Sequence, residues 1–213
     1  MIVETFPVGL LACNATIVGD EDTREAIVVD GGDGVDDVLA RLKQLGLRAR
    51  YLIHTHAHFD HIADVGRLRA STRSSALLHH ADLPIYHDQP RLVKLFGLPP
   101  IPEPVALDGD LSDGDRLTVG AVTCEVLHTP GHTPGSVCFA LGNGETAILL
   151  TGDTLFAGSI GRWDLGGTSM EDIVQSIERK LMDYPDATHV VPGHGAFTTI
   201  GTERASNPYL RGR

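Results

Sequence analysis

Thr55-His56-Ala57-His58-Phe59-Asp60-His61 follows directly on an apolar run, Tyr51 to His54, that reads as a buried strand. Four potential metal ligands fall within six residues. In an extended segment residues i and i+2 point the same way, so His56 and His58 can face one ion together. Asp60 and His61 then fall at a turn into the next helix, where they can face a second position. Imidazole and carboxylate donors suit Zn²⁺, Fe or Mn²⁺.

Three further pieces stand downstream at strand ends. His132 lies in Thr129-Pro130-Gly131-His132-Thr133-Pro134-Gly135-Ser136. Asp153 ends the apolar run of Leu149-Leu150-Thr151-Gly152-Asp153-Thr154. His194 ends another in Val190-Val191-Pro192-Gly193-His194-Gly195. Each is a polar residue delivered where a buried strand opens into a Gly-rich loop, the place where sites collect. Gly and Pro shape such a loop and permit close approach to an ion. With the first cluster the set holds five His and two Asp. By composition alone His128 rivals His132. His54, His79, His80, His87, His128 and His189 read as ordinary hydrogen-bonded residues, with His54 and His128 near enough to the ligand loops to orient a ligand.

The composition narrows the class. The 213 residues are 42% hydrophobic and 21% charged, which excludes a disordered chain. The 17 basic against 28 acidic residues give a formal charge of −11. No basic patch for nucleic acid or an anionic membrane stands out, and the Arg67 to Arg73 cluster reads as a solvated helix face. No apolar run approaches the ~20 residues of a membrane span. The first residues lack the basic and apolar regions of a signal peptide. Cys13, Cys124 and Cys138 show no CxxC spacing and read as buried free thiols, so a cytoplasmic location is expected.

Strand, helix and strand alternate along the chain. Ile2 to Val8, Ala12 to Val18 and Ala26 to Asp30 read as strands. Asp33-Gly34 opens a helix whose Val35, Val38, Leu39, Leu42 and Leu45 share one face, and Gly46 stops it. Ile62 to Ala70 reads as a helix and Ala76 to Leu78 as a strand. Six prolines between 84 and 104 predict a long irregular connection. Arg116 to Val119, Val122 to Leu127, Ser136 to Leu141 and Thr146 to Leu150 read as strands. Turns fall at Asp113-Gly114, Gly120-Ala121 and Gly142-Asn143-Gly144. A helix from Met170 to Met182 and a strand from Thr188 to Val191 close the pattern. Two sheets packed face to face with helices outside would bury every apolar face. The expected fold is α/β, a four-layer αββα sandwich forming a single domain over 1–213.

His56-x-His58-x-Asp60-His61, then His132, Asp153 and His194 in this order, resembles the metallo-β-lactamase fold superfamily over nearly the whole chain. Thr151-Gly152-Asp153-Thr154-Leu155-Phe156, Pro192-Gly193-His194-Gly195 and the tail Thr198 to Arg204 with Asn207-Pro208 resemble the glyoxalase II-like hydrolases. The resemblance implies two divalent metal ions, with Zn foremost and Fe or Mn as alternatives. His56, His58 and His132 would hold the first, Asp60, His61 and His194 the second, and Asp153 would bridge them. Asp60 would also steer the nucleophile. The implied substrate is a small acyl thioester such as S-lactoylglutathione, with lactone or β-lactam hydrolysis and iron-dependent persulfide oxidation as alternatives.

The chain departs from the glutathione-specific members in two ways. It ends about twenty residues after His194, so their added C-terminal helical domain is expected to be absent. Arg162 stands where those enzymes commonly offer a Lys, and Asp164 where they offer a Tyr. Arg162 is therefore the candidate substrate-binding residue, with pairing to Asp164 as the competing role. Trp163 beside it reads as a loop-packing residue.

Overall fold

The computed structural model describes residues 1–142, 144–164 and 168–211. The chain divides into two compact units, Met1–Leu111 with Thr118–Val122, and Ser112–Leu117 with Thr123–Arg213. Asn143, in the expected Gly142-Asn143-Gly144 turn, lies outside the described residues.

The first unit holds β1 (Ile2–Val8), β2 (Cys13–Gly19), β3 (Glu25–Val29), α1 (Val35–Leu45), β4 (Arg48–Ile53), α2 (Phe59–Ile62), α3 (Val65–Thr72), β5 (Ser75–Leu78), α4 (Leu83–Leu95) and β6 (Gly109–Asp110). The strands form one sheet in sequence order. β1 to β3 pair antiparallel, and β3 to β6 pair parallel. Alternate residues Cys13, Ala15, Ile17, Ala26, Val28, Leu52, Ala76 and Leu78 share a core with Val35, Val38 and Leu42 of α1, Leu68 of α3 and Tyr86 of α4. The intervening Ile27, Val29 and Ile53 are equally buried, as in parallel sheets apolar on both faces. Because β3, β4 and β5 run the same way, Asp30, His54 and His79 all leave the sheet at one edge, where α/β folds place their sites.

α1 follows its apolar period. Asp36 and Asp37 lie in its first turn, Lys43 in its last, and Gly46 ends it with φ +64°. The expected helix over 62–70 is instead two, α2 and α3. The larger departure concerns residues 84–104. Their first half is α4, and only the part after Phe96 is irregular. Pro84 sits in the first turn, where a missing N–H costs nothing. Tyr86, Gln89 and Val93 bury one helical face, which outweighs the break that Pro90 would favour. The proline-rich return is tied back by Tyr86, whose hydroxyl donates to Val105 O and accepts from Val105 N, both at 3.0 Å.

Along the rest of the chain come β7 (Arg116–Val119), β8 (Val122–His128), β9 (Val137–Leu141), β10 (Ile148–Gly152), β11 (Leu155–Phe156), β12 (Ser159–Ile160), α5 (Met170–Lys180), β13 (His189–Pro192), β14 (Thr198–Thr199) and α6 (Ile200–Ser206). A second sheet runs β14-β13-β10-β9-β8-β7. β10 and β13 are parallel, so Asp153 and His194 leave it at one edge. α5, capped by a reciprocal Ser169–Asp172 box, ends at Lys180 rather than Met182. Its Ile173, Val174 and Ile177 pack on Cys138, Ala140, Leu149 and Val190, with Trp163 at the margin of the same cluster.

The two-residue strands and α6 escape the sequence reading. All three cysteines are buried and free. No described helix is long and apolar enough to cross a membrane. Arg67 and Arg69 lie on an exposed face of α3 and pair with Asp36 and Asp108.

Candidate metal centre

In the first unit the loop after β4 carries His56 and His58, and α2 carries Asp60 and His61. The structure brings these four together. The His56 ring lies 4.7 Å from that of His58 and 4.1 Å from that of His61. Asp60 Oδ2 stands 3.5 Å from His61 Nε2.

Their orientation follows from Asp30, a buried carboxylate at the end of β3 with φ +53°. Asp30 accepts from Thr55 N at 2.8 Å and from Thr55 Oγ1 at 2.7 Å. Its Oδ2 also lies 3.0 Å from His61 Nδ1. The Thr55 hydroxyl has one proton, already given to Asp30. Its oxygen therefore accepts from His56 Nδ1, 3.1 Å away. In their neutral form both imidazoles carry the proton on Nδ1, which leaves Nε2 as the basic nitrogen. His56 Nε2 faces His58 Nδ1 at 3.0 Å.

The backbone between His56 and His58 is held from the other side. Ala57 N donates to Asp82 Oδ2 at 2.9 Å, and Ala57 O accepts from Gln89 of α4. His54 Nδ1 donates to His61 O at 3.1 Å, and burial pushes its pKa down to about 4. Asp30, Asp82 and Gln89 were not legible as site residues. Only Asp30 left a signal, since it ends an apolar strand before Gly31-Gly32 much as Asp153 ends one after Gly152.

The electrostatics favour a cation. Burial disfavours charge on His61, yet Cys13, Asp30 and Asp60 hold its pKa well above the usual histidine value. Burial pushes the Cys13 thiol up to about 11, so at neutral pH the two carboxylates supply the negative charge. Burial, and then Asp60, also raises Asp33.

In the second unit His132, Asp153 and His194 also come together. His132 Nε2 lies 3.5 Å from Asp153 Oδ2, and His194 Nε2 lies 3.7 Å from Asp153 Oδ1. His132 Nδ1 donates to the Arg162 carbonyl at 2.8 Å, which again leaves Nε2 as the basic nitrogen. His128 is placed otherwise, with Nε2 donating to Pro134 O at 3.0 Å. His79 caps a short helical turn and His80 pairs with Asp110.

Glycine makes the His132 loop possible. Gly131, at φ +149°, passes so close to α5 that a Cβ would lie 2.3 Å from Ile173 Cα. The Arg162 side chain grips Asp164 through two bonds of 3.0 and 2.9 Å, with both side chains exposed. The tail contributes a brace. Buried Glu203 accepts from Gly158 N, Thr198 Oγ1 and Asn207 Nδ2, fixing the hairpin that leads into Arg162.

The donors fit metal ions. Of the candidate imidazoles, His56, His61 and His132 each donate an Nδ1–H to a fixed oxygen, and His58, Asp60, Asp153 and His194 supply further nitrogen and carboxylate donors. The chain thus carries His and Asp groups suitable for a dinuclear metal site.

Residues 8–194 match the family model described as the metallo-beta-lactamase superfamily. The chain is 32% identical to the hydroxyacylglutathione hydrolase GloC of Haemophilus influenzae, with all of both chains covered. It is 31% identical to the mitochondrial persulfide dioxygenase ETHE1 of Bos taurus, covering 93% of this chain and 72% of that one. Among solved structures, BLEG-1 B3 metallo-beta-lactamase superposes with a TM-score of 0.89 at 36% identity, covering 99% of this chain and 100% of the other. TTHA1623, solved in a di-iron-bound form, gives a TM-score of 0.84 at 38% identity, covering 96% and 100%. The α/β fold class expected from the sequence is the one that these neighbours share.

Proposed function

The chain belongs to the metallo-beta-lactamase superfamily, and on that premise we propose that it is a dinuclear-metal thioesterase. It cleaves a small acyl thioester, such as S-lactoylglutathione, with water to a carboxylic acid and a thiol. The observation that carries the proposal is the placement of His132 and His194 against opposite oxygens of Asp153. A carboxylate approached in this way is suited to two cations at once.

His56, His58 and His132 would hold one ion, Asp60, His61 and His194 the other, and Asp153 both. Zn is the metal we propose first, with Fe as the alternative that the di-iron neighbour supports. When bound, such ions supply Lewis acidity toward a carbonyl and make water usable as a nucleophile near neutral pH. The residues do the rest. Asp30 and Thr55 hold His56 and His61 in the ligating tautomer. Asp60 accepts a hydrogen bond from the attacking water through its second oxygen. Arg162 pairs a carboxylate of a charged substrate, exchanging Asp164 for it. The likeness to GloC supports the thioester, and full coverage of both chains supports a single catalytic domain over residues 1–213.

Iron-dependent persulfide oxidation is the second reading, favoured by the likeness to ETHE1. One assay separates the two. Protein loaded with Zn or Fe is offered S-lactoylglutathione, a lactone, a β-lactam and glutathione persulfide. Thioester turnover with either metal, with about two equivalents bound and loss of one in His194→Ala, is expected. Oxygen uptake on the persulfide, confined to the Fe form and with no thioester turnover, would replace the proposal by the second reading.

A further inference from the structure

Along the sequence no basic patch stands out, but the fold gathers one. Residues 38–81 hold seven of the 17 basic residues and two of the 28 acidic ones, in a chain whose formal charge is −11. Four of those cations meet at the end of the first unit's sheet where β4 begins. Lys43 comes from the last turn of α1, Arg48 and Arg50 from β4, and Arg73 from the end of α3. They line one cleft of about 630 Å³, with the buried Leu42 and Leu47 among its walls. β4 leaves the sheet at its other end, toward His56 and His58, so the cleft stands apart from these candidate ligands.

Local structure aims these side chains and leaves three of them unneutralised. Glu25 is the carboxylate of the lining, and Arg50 Nη1 lies 3.3 Å from its Oε2. Among the described residues no ion pair or side-chain hydrogen bond engages Lys43, Arg48 or Arg73. The carbonyls that end α1 are taken by Arg24, which donates to Gly46 O at 3.2 Å and to Leu45 O, so Lys43 is not held there. β3 advances one residue from Ala26 to Ile27 while β4 advances two from Ala49 to Tyr51. Arg50 is thus the extra residue of a bulge, a device that re-aims a side chain. Arg73 ends α3 at φ +59°, where glycine is at ease and arginine is strained. What arginine adds at that position is its charge. Ser74 Oγ donates to Ala49 O at 2.8 Å and ties the end of α3 to β4, so the walls are fixed against each other.

Like charges brought together repel, and an anion between them relieves the repulsion. We infer that this cleft is a binding site for a small molecule bearing a diphosphate. Two linked phosphate groups carry about three negative charges at pH 7, which matches the three uncommitted cations. Their oxygens accept from guanidinium groups and from the Ser71 and Ser75 hydroxyls of the same lining. The volume is that of a site for a molecule of nucleotide size.

Calorimetry on the metal-loaded protein tests this with ADP, pyrophosphate, adenosine and a single-stranded oligonucleotide as probes. Wild type is expected to bind ADP and pyrophosphate, more weakly at high salt, and not to bind adenosine. Arg73→Gly should lose about tenfold in affinity for ADP and Arg48→Gln/Arg73→Gln about 100-fold, the scale of one charge-assisted hydrogen bond for each side chain. Arg73→Gly relieves the strain at that position, so its melting temperature should stay or rise, which separates lost binding from lost folding. Arg91→Gln/Lys94→Gln removes two exposed cations from α4, and its affinity should stay within about twofold of wild type, as should that of His194→Ala.

ADP bound more tightly than pyrophosphate, or equally, upholds the site; the first result assigns it to nucleotides and the second to diphosphate itself. A wild type that binds neither would overturn the inference. So would adenosine bound as well as ADP, or an equal loss in the α4 variant. Loss in His194→Ala with none in the cleft variants would place the anion at the metal centre instead. An oligonucleotide bound far more tightly than ADP would make the face a nucleic-acid surface and end the small-molecule reading.

Discussion

His132 Nδ1 donates to the backbone carbonyl of Arg162 at 2.8 Å. The same residue sends its guanidinium outward onto Asp164. Backbone and side chain of Arg162 therefore have separable roles. The carbonyl fixes the tautomer of a candidate ligand histidine, and the side chain sits at the surface, where an exposed ion pair contributes little to stability.

Arg162→Ala keeps that carbonyl, so it should leave metal content and melting temperature unchanged. For a charged glutathione thioester the apparent KM should rise about fivefold, the scale of one lost rim charge pair. A neutral thioester of a small thiol should be unaffected. Steady-state kinetics on the two substrates, with metal analysis of the same samples, checks this. Equal losses on both would assign Arg162 to shaping the loop.

Asp30 reaches His61 directly and His56 through Thr55, so it sets two tautomers at once. Asp30→Ala leaves Thr55 N, Thr55 Oγ1 and His61 Nδ1 without their acceptor. Metal affinity should fall by about 10- to 100-fold, as for lost partners of ligating histidines. Stability should fall by about 3 kcal/mol, since buried groups are left unpaired. Chelator competition and urea unfolding measure the two. Wild-type metal affinity in this variant would remove Asp30 from the site.

Two glycines in the loop after Asp153 make a matched test. A Cβ at Gly161 would lie 1.8 Å from Asp153 O, whereas one at Gly158 meets nothing within 4 Å. Gly161→Ala must push the Asp153 backbone aside, and bound metal should be lost together with activity. Gly158→Ala should cost only the strain of φ +70°, about 1 kcal/mol, with metal retained. Metal stoichiometry of the two purified variants decides; full loading of Gly161→Ala would show that the loop yields without consequence.

His54 gives the fold a pH dependence of known sign. Burial lowers its pKa from 6.5 to about 4 in the folded chain. Between those values the unfolded chain binds a proton that the folded one refuses. The contribution is therefore complete above pH 6.5 and is lost as pH falls toward 4, amounting to about 2 kcal/mol by pH 5. His54→Gln can still donate to His61 O but does not titrate. Urea unfolding at pH 7 and pH 5 should show wild type losing about 2 kcal/mol more than this variant. Parallel losses would mean that His54 does not govern the window.

The sequence alone determined the fold class and pointed to the candidate ligands, because both leave local signals. Metal donors recur two apart in an extended run or stand where an apolar strand meets glycine, and apolar periods of two and 3.6 mark the main strands and helices. Helix α1 and strand β7 were legible almost to the residue for this reason. Tertiary structure decided what supports the candidate ligands. Pro84 and Pro90 speak locally for a loop, but the buried face of Tyr86, Gln89 and Val93 makes α4, and α4 supplies the Gln89 that holds Ala57 between His56 and His58. Strands of two residues carry no period to read: β6 and β14 exist as partners of the longer β5 and β13, and β11 pairs with the equally short β12. Asp30, Asp82 and Glu203 are unremarkable in sequence. Their importance comes from burial, where a carboxylate must find donors and the donors it finds lie far along the chain.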